Sequence, residues 1–116
     1  MSEATSVEQS AVARDLTAFQ QNVLAVLSEE PRYGLAIKRE LEDYYGTEVN
    51  HGRLYPNLDE LVEMGLVEKS ELDKRTNQYA LTEAGYDAAF DVIQWRVSRY
   101  ATGEARAEQV RNLVSE

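Results

Sequence analysis

Apolar residues recur with helical spacing in several stretches of this chain, interrupted once by strand-like spacing. From about Ala18 to Ser28, Phe19, Val23, Leu24, Val26 and Leu27 are apolar and no residue is charged, a pattern that buries a helix on more than one face. Thr17 followed by Gln20 fits a capping box at its start, and Pro31 stops it. A second helix is expected from about Tyr33 to Tyr45. Leu35, Ile37, Leu41 and Tyr44/Tyr45 should face inward, and Lys38, Arg39, Glu40 and Glu42 outward. Gly46 suits the left-handed residue that closes a helix. Asn50 is a good N-cap for a third helix, in which Leu54, Leu58, Leu61 and Val62 form an inward stripe at i, i+4, i+7 and i+8. Pro56 falls early in this helix, where a missing amide hydrogen bond costs least, and Gly65 ends it.

The period then changes. Leu66 to Leu72 reads as a strand, Asp73-Lys74-Arg75-Thr76 as a turn and Asn77 to Leu81 as the return strand. Thr82 caps a long helix from Glu83, along which Tyr86, Phe90, Ile93, Val97 and Tyr100 recur at spacings of 4, 3, 4 and 3. Gly103 precedes a last helical piece, Glu104 to about Val114, and leaves open whether the two are continuous. The fold class expected from this order is mainly α with a small β-hairpin: a winged helix-turn-helix with a long C-terminal dimerisation helix. Residues 1–15 lack any sustained period and are expected to form a flexible arm. Residues 16–82 are expected to make a core of the DNA-binding helix-turn-helix type and 83–116 a C-terminal helical dimerisation segment, within a single domain.

Composition narrows the alternatives. At 116 residues, 43% hydrophobic and 28% charged, the chain has the composition of a soluble globular protein. No apolar run approaches the roughly 20 residues that span a bilayer, and Met1-Ser2-Glu3-Ala4-Thr5 lacks the order of a signal peptide, so a cytoplasmic protein is expected. Cysteine is absent, which excludes disulfides and thiolate chemistry. Without a thiol, and with Met64 the sole internal methionine, no obvious residue would sense an oxidant. The one histidine has no companion ligand for a metal. No glycine-rich phosphate loop or nucleophile–base pair is present, and Glu60 with Glu63 suits a solvated helix face. No cofactor, no metal and no enzyme activity are expected.

Charge changes the picture more. Acids number 21 against 12 bases, for a net charge of −9, whereas nucleic-acid binders are usually basic because phosphate neutralisation supplies much of their affinity. Acid-rich, lysine-poor surfaces suit a salt-loaded cytoplasm, where at molar salt the Debye length falls to about 3 Å and contacts at close range decide. A halophilic source is expected, with an ordinary acidic protein as the alternative.

Against this background Val49 to Leu58 contains no carboxylate. In a helix-turn-helix the N-terminal residues of the second helix meet base edges in the major groove. Asn50, His51, Arg53 and Asn57 are the outward candidates here, and Gly52 and Pro56 let the backbone approach. Arg53 suits a bidentate contact to guanine and Asn57 one to adenine. His51 can donate or accept, and Asn50 with the free amides behind it suits a phosphate oxygen. Plainer roles compete: Asn50 as a cap alone, His51 as a solvated residue, and Arg53 paired with Glu60. Tyr55 combines a packed ring with a hydroxyl that could reach a phosphate. Lys74, Arg75, Thr76 and Asn77 are the wing candidates, for backbone or minor-groove contact or as an ordinary polar turn. Lys38 and Arg39 could flank the phosphates, with a Lys38–Glu42 pair as the competing role.

Four motifs carry a family resemblance: Tyr33-Gly34, Leu54-Tyr55-Pro56-x-Leu58, Gly65-Leu66-Val67 and Tyr79-x-Leu81-Thr82-x-x-Gly85. In order and spacing they resemble the PadR-type transcriptional regulators over about Phe19 to Gly85, closest in character to haloarchaeal members. The resemblance implies a homodimeric winged-helix repressor or activator that binds double-stranded DNA and dimerises through its last helix. The turn Asp73-Lys74-Arg75-Thr76 departs from the basic, glycine-rich wing typical of the family. Phe19 and Val23, with Tyr86, Phe90, Ile93, Val97 and Tyr100, are the expected dimer interface. A symmetric dimer would place its two reading helices roughly 34–36 Å apart, on an approximate inverted repeat. The competing function is a protein-binding winged-helix adaptor whose acidic surface meets a basic partner without DNA. An unknown effector held among Tyr86, Phe90, Trp95 and Tyr100 competes with dimer or core packing of those rings.

Overall fold

A computed structural model of the chain describes residues 14–73 and 76–115. The element order is α1 (Ala18–Glu29), β1 (Arg32–Tyr33), α2 (Gly34–Tyr45), α3 (His51–Glu63), β2 (Val67–Asp73), β3 (Thr76–Leu81), α4 (Glu83–Tyr100) and α5 (Glu104–Val114). The expected arm falls largely outside the described residues. Its last part is tied down by Arg14, which pairs with Asp91 of α4 at 2.8 Å, and Leu16, the first residue of the expected core, is buried.

The capping box of α1 forms as its sequence predicts, Thr17 Oγ1 accepting from the Gln20 amide and Gln20 Oε1 from the Thr17 amide, both at 3.1 Å. Gly46 takes the left-handed conformation after α2 (φ 71°) and Gly65 does so after α3 (φ 78°). The inward stripe of α2 is narrower than expected. Ile37 and Leu41 are completely buried, whereas Leu35 and Tyr44 are exposed. Burial at Gly34, Ile37 and Leu41 centres the inner face so that Leu35 points sideways and Tyr44 lies edge-on against Tyr45, ring centroids 5.3 Å apart.

The hairpin is part of a three-stranded antiparallel sheet in the order β1-β3-β2. The two-residue strand β1 was not foreseen; it pairs Arg32 with Tyr79 and Tyr33 with Gln78. Two residues show no period of their own, so only the tertiary pairing defines them. Leu54, Leu58 and Leu61 of α3 join Leu24, Ile37, Leu41, Leu66 and Tyr79 in a core where each is almost wholly buried. Burial of such side chains, each contributing about 1.5–3 kcal/mol, sets α3 against α1, α2 and the sheet.

The junction to α4 is fastened by Thr82. Its hydroxyl accepts from the Gly85 amide at 2.9 Å and donates to the Gly65 carbonyl at 2.7 Å, while its own amide donates to the Leu66 carbonyl at 3.1 Å. A Cβ on Gly85 would overlap that same Leu66 carbonyl oxygen. The Thr-x-x-Gly spacing therefore locks the helix to the end of α3 and the start of β2. Beyond Tyr100 the helix stops. Gly103 (φ 80°) turns the chain, and α5 is a separate helix with no buried residue.

Candidate nucleic-acid interface

The N-terminal half of α3 is held from three sides. Asn50 caps it, its Oδ1 accepting from the Gly52 amide at 2.6 Å. Behind it, Glu42 of α2 accepts from Lys38 Nζ at 2.7 Å and from the Val49 amide at 2.9 Å. The Lys38 ammonium and the Val49 N–H hold the Glu42 carboxyl below its ordinary pKa. This one carboxylate thus fixes the turn between α2 and α3. Lys38 is therefore committed to an intrahelical ion pair, while Arg39 is exposed.

Tyr55 forms the second support. A Cβ on Gly34 would come within 2.6 Å of the Tyr55 hydroxyl oxygen, so two of the family-like motifs meet in one contact. On its other side the Tyr55 ring stacks on His51, centroids 5.5 Å apart and 7° from parallel. Below lies Tyr79 of β3, whose phenol pKa burial pushes up, with Asp59 acting in the same direction.

The third support is Gln20, a buried polar residue of α1. Its Nε2 donates to Asn57 Oδ1 at 3.0 Å, and Asn57 Nδ2 donates to the Arg53 carbonyl at 2.7 Å. Asn57 was expected to face outward and pair with adenine. Its amide is instead half-buried and engaged at both ends within the chain, which makes it a latch between α1 and α3. The capping pattern at Thr17 revealed Gln20 as a cap but not as the partner of a residue 37 positions away.

Asn50, His51, Gly52, Arg53 and Pro56 are all exposed, at the N-terminal end of α3, where Asn50 already takes the amides of Gly52, Arg53 and Leu54. Arg53 does not pair with Glu60; its guanidinium carbon sits 4.1 Å from the centroid of the Phe19 ring. The outward side of the second half of α3 carries Asp59, Glu60 and Glu63, all exposed. Only the leading end of this helix can approach a polyanion without bringing carboxylates against it. Of the wing candidates, Thr76 and Asn77 are strand residues opposite Asp73 and Glu71, and Lys74 and Arg75 lie outside the described residues.

Phe19 and Val23 were expected at a dimer interface, but both are buried in the chain's own core. The helix they occupy packs beneath α3 and α4, which leaves them no surface to offer. The other five remain open: Tyr86, Phe90, Ile93, Val97 and Tyr100 are between 40% and 73% exposed along α4. An apolar groove of about 260 Å³ runs between α1 and α4, lined by Leu24, Leu81, Phe90 and Ile93, with Arg96 at its border. Trp95 lies off this stripe, under the Arg99 guanidinium at 5.2 Å.

A helix-turn-helix buttressed by a small sheet, followed by a long helix with an open apolar stripe, defines a winged-helix regulator. Residues 23–90 match the transcriptional regulator PadR-like family, and the chain belongs to it. A solved structure of RosR from H. salinarum is 67% identical, with a TM-score of 0.85 over 89% of this chain and 94% of that one. The transcriptional activator GvpE of Haloferax mediterranei is 28% identical over 91 residues, which cover 77% of this chain and 46% of GvpE. The chain thus spans about half the length of that relative. Bacillus subtilis PadR, solved in complex with operator DNA, shares the fold at 19% identity, with a TM-score of 0.57 over 66% of this chain and 48% of that one. The expected kinship with haloarchaeal PadR-like regulators is therefore met. Among the described residues no helix is long and apolar enough to cross a membrane.

Proposed function

We propose that two copies of this chain bind an approximate inverted repeat in double-stranded DNA, each placing the leading end of α3 in the major groove. The observation that carries this is the distribution of charge along one exposed helix. Asn50, His51, Gly52, Arg53 and Pro56 are exposed and free of acid, and carboxylates begin only at Asp59. Arg53 is the base reader, suited to the N7 and O6 of guanine. The Asn50 end, at the positive end of the helix dipole, meets a phosphate. His51, stacked on Tyr55, lies beside it for a phosphate or a base edge. Arg39 and the wing residues Lys74, Arg75, Thr76 and Asn77 contact the backbone, which sets position and not sequence preference.

Residues 16–82 form the DNA-binding core and 83–116 the dimerisation segment. The apolar stripe of α4 supports this division, because a row of half-exposed aromatic and branched side chains is costly to leave in water. The protein is a cytoplasmic, non-enzymatic regulator adapted to high salt. With a net charge of −9, screening at molar salt removes the repulsion between protein and DNA that low salt imposes.

A gel-shift titration against the DNA upstream of the protein's own coding region tests this, run at low and at molar salt. One dimer bound per inverted repeat, with affinity maintained or increased at molar salt, is expected. The absence of a shift at both salt concentrations would favour a protein-binding adaptor instead.

A further inference from the structure

The position of Arg53 is unusual for an exposed arginine in an acidic chain. Its guanidinium carbon lies 4.1 Å from the centroid of the Phe19 ring and 5.9 Å from that of Tyr45. Those two rings are themselves stacked, 6.2 Å apart and 12° from parallel. Tyr45 is held by a hydrogen bond that Asn22 Nδ2 donates to its hydroxyl at 2.8 Å. α1 supplies one ring, the end of α2 the other, and the first turn of α3 the cation. The Arg53 backbone is fixed as well, because its carbonyl receives the Asn57 side chain, which Gln20 holds from behind.

A cation–ring contact occupies none of the N–H donors of a guanidinium in a hydrogen bond to an acceptor atom, so with Arg53 over the Phe19 ring they stay available for a forked pair of hydrogen bonds. An ion pair would do the opposite, occupying the donors and cancelling the charge. Glu60 lies seven residues, about two turns, further along α3, and Arg53 rests on the rings and not on that carboxylate. Attraction between a cation and a ring face acts at contact distance, so salt that screens exposed charge pairs affects it less.

We propose that the Phe19–Tyr45 shelf is a positioning device that holds the Arg53 guanidinium in place at the leading end of α3 and leaves its donors free for guanine. This rests on α3 being the reading helix. Phe19 and Tyr45 act through Arg53 without touching DNA, and they set how sharply the protein discriminates at one base pair.

The test uses the full chain and a duplex selected by it from a random pool at molar salt. Affinity for that duplex is compared with affinity for duplexes in which single guanines are replaced by 7-deazaguanine, which lacks the N7 acceptor. Arg53→Ala identifies the guanine that Arg53 reads. Phe19→Leu is expected to lower discrimination at that guanine by about two- to fivefold, the equivalent of an exposed cation–π contact. In the Arg53→Ala background the same change should have no further effect on discrimination. If Phe19→Leu does not fold, Tyr45→Leu, at a half-buried position, is read in the same way.

Unchanged discrimination in the folded shelf variant would overturn the proposal. So would an equal loss of affinity for every duplex whether or not Arg53 is present, because that is a structural effect. Arg53→Ala discriminating like wild type would overturn the assignment of α3 itself, a result distinct from failure of the shelf alone.

Discussion

Asn57, on the reading helix, accepts a hydrogen bond at 3.0 Å from Gln20, a buried residue of the first helix. The contact turns a side chain of base-reading type into a structural latch. Asn57→Ala removes the acceptor and leaves the Gln20 amide buried without a partner, at a cost of about 1–3 kcal/mol. Urea unfolding of the two proteins at one salt concentration should show that loss. Equal stability would mean that the latch contributes nothing and that Asn57 is free to meet a base.

Gly85 answers a similar question at the other end of the core. In a helix interior, Gly→Ala is normally stabilising by about 1 kcal/mol. Here the new Cβ would overlap the Leu66 carbonyl oxygen, and overpacking against backbone costs about 1–3 kcal/mol. The clash should win, so Gly85→Ala is expected to lower the melting temperature. A rise would show that α4 can move away from β2 at little cost.

The Glu42 carboxylate makes stability depend on pH. Its folded-state pKa is lowered, first by the hydrogen bond from Lys38 and then by that from the Val49 amide. A lowered pKa contributes stability that is present above the unfolded-state value and is lost as pH falls through the folded-state value. Glu42→Gln should therefore be less stable than wild type at neutral pH, with the gap closing as the solution is acidified below the usual carboxylate range. Denaturation curves at several pH values measure this. A gap independent of pH would remove the charge from the explanation.

The stripe on α4 predicts an assembly. Phe90 is 59% exposed and Val97 40% exposed in the single chain. Introducing a carboxylate at either, as in Phe90→Glu, should convert a dimer to a monomer in analytical ultracentrifugation without unfolding the core. DNA binding should weaken with it, because two linked half-sites gain from effective concentration. A Phe90→Glu protein that stays dimeric would move the interface elsewhere.

Where local chemistry decides, the sequence was sufficient. Thr17, Asn50 and Thr82 cap the helices expected of them, and Gly46 and Gly65 end theirs. The stripe Leu54, Leu58 and Leu61 is buried as its spacing requires. Long-range partners were not legible. β1 is defined only by pairing with β3, and Asn57 is turned inward by a glutamine on another helix. Arg53 was seen to be available, but the rings beneath it come from Phe19 and Tyr45, residues whose own periods mark them simply as apolar positions. Phe19 and Val23 are expected at an interface from the apolar first helix packing with the last helix and a twofold mate, but the chain's own core takes both.

The most direct measurement is the affinity of Arg53→Ala for a selected operator at molar salt, alongside its oligomeric state and unfolding midpoint. A bidentate arginine–guanine contact is worth about 1–3 kcal/mol. Specific affinity should fall accordingly, from about fivefold to more than a hundredfold, while dimerisation is unchanged. Binding as tight and as selective as that of the wild-type protein would contradict a reading role for the leading end of α3.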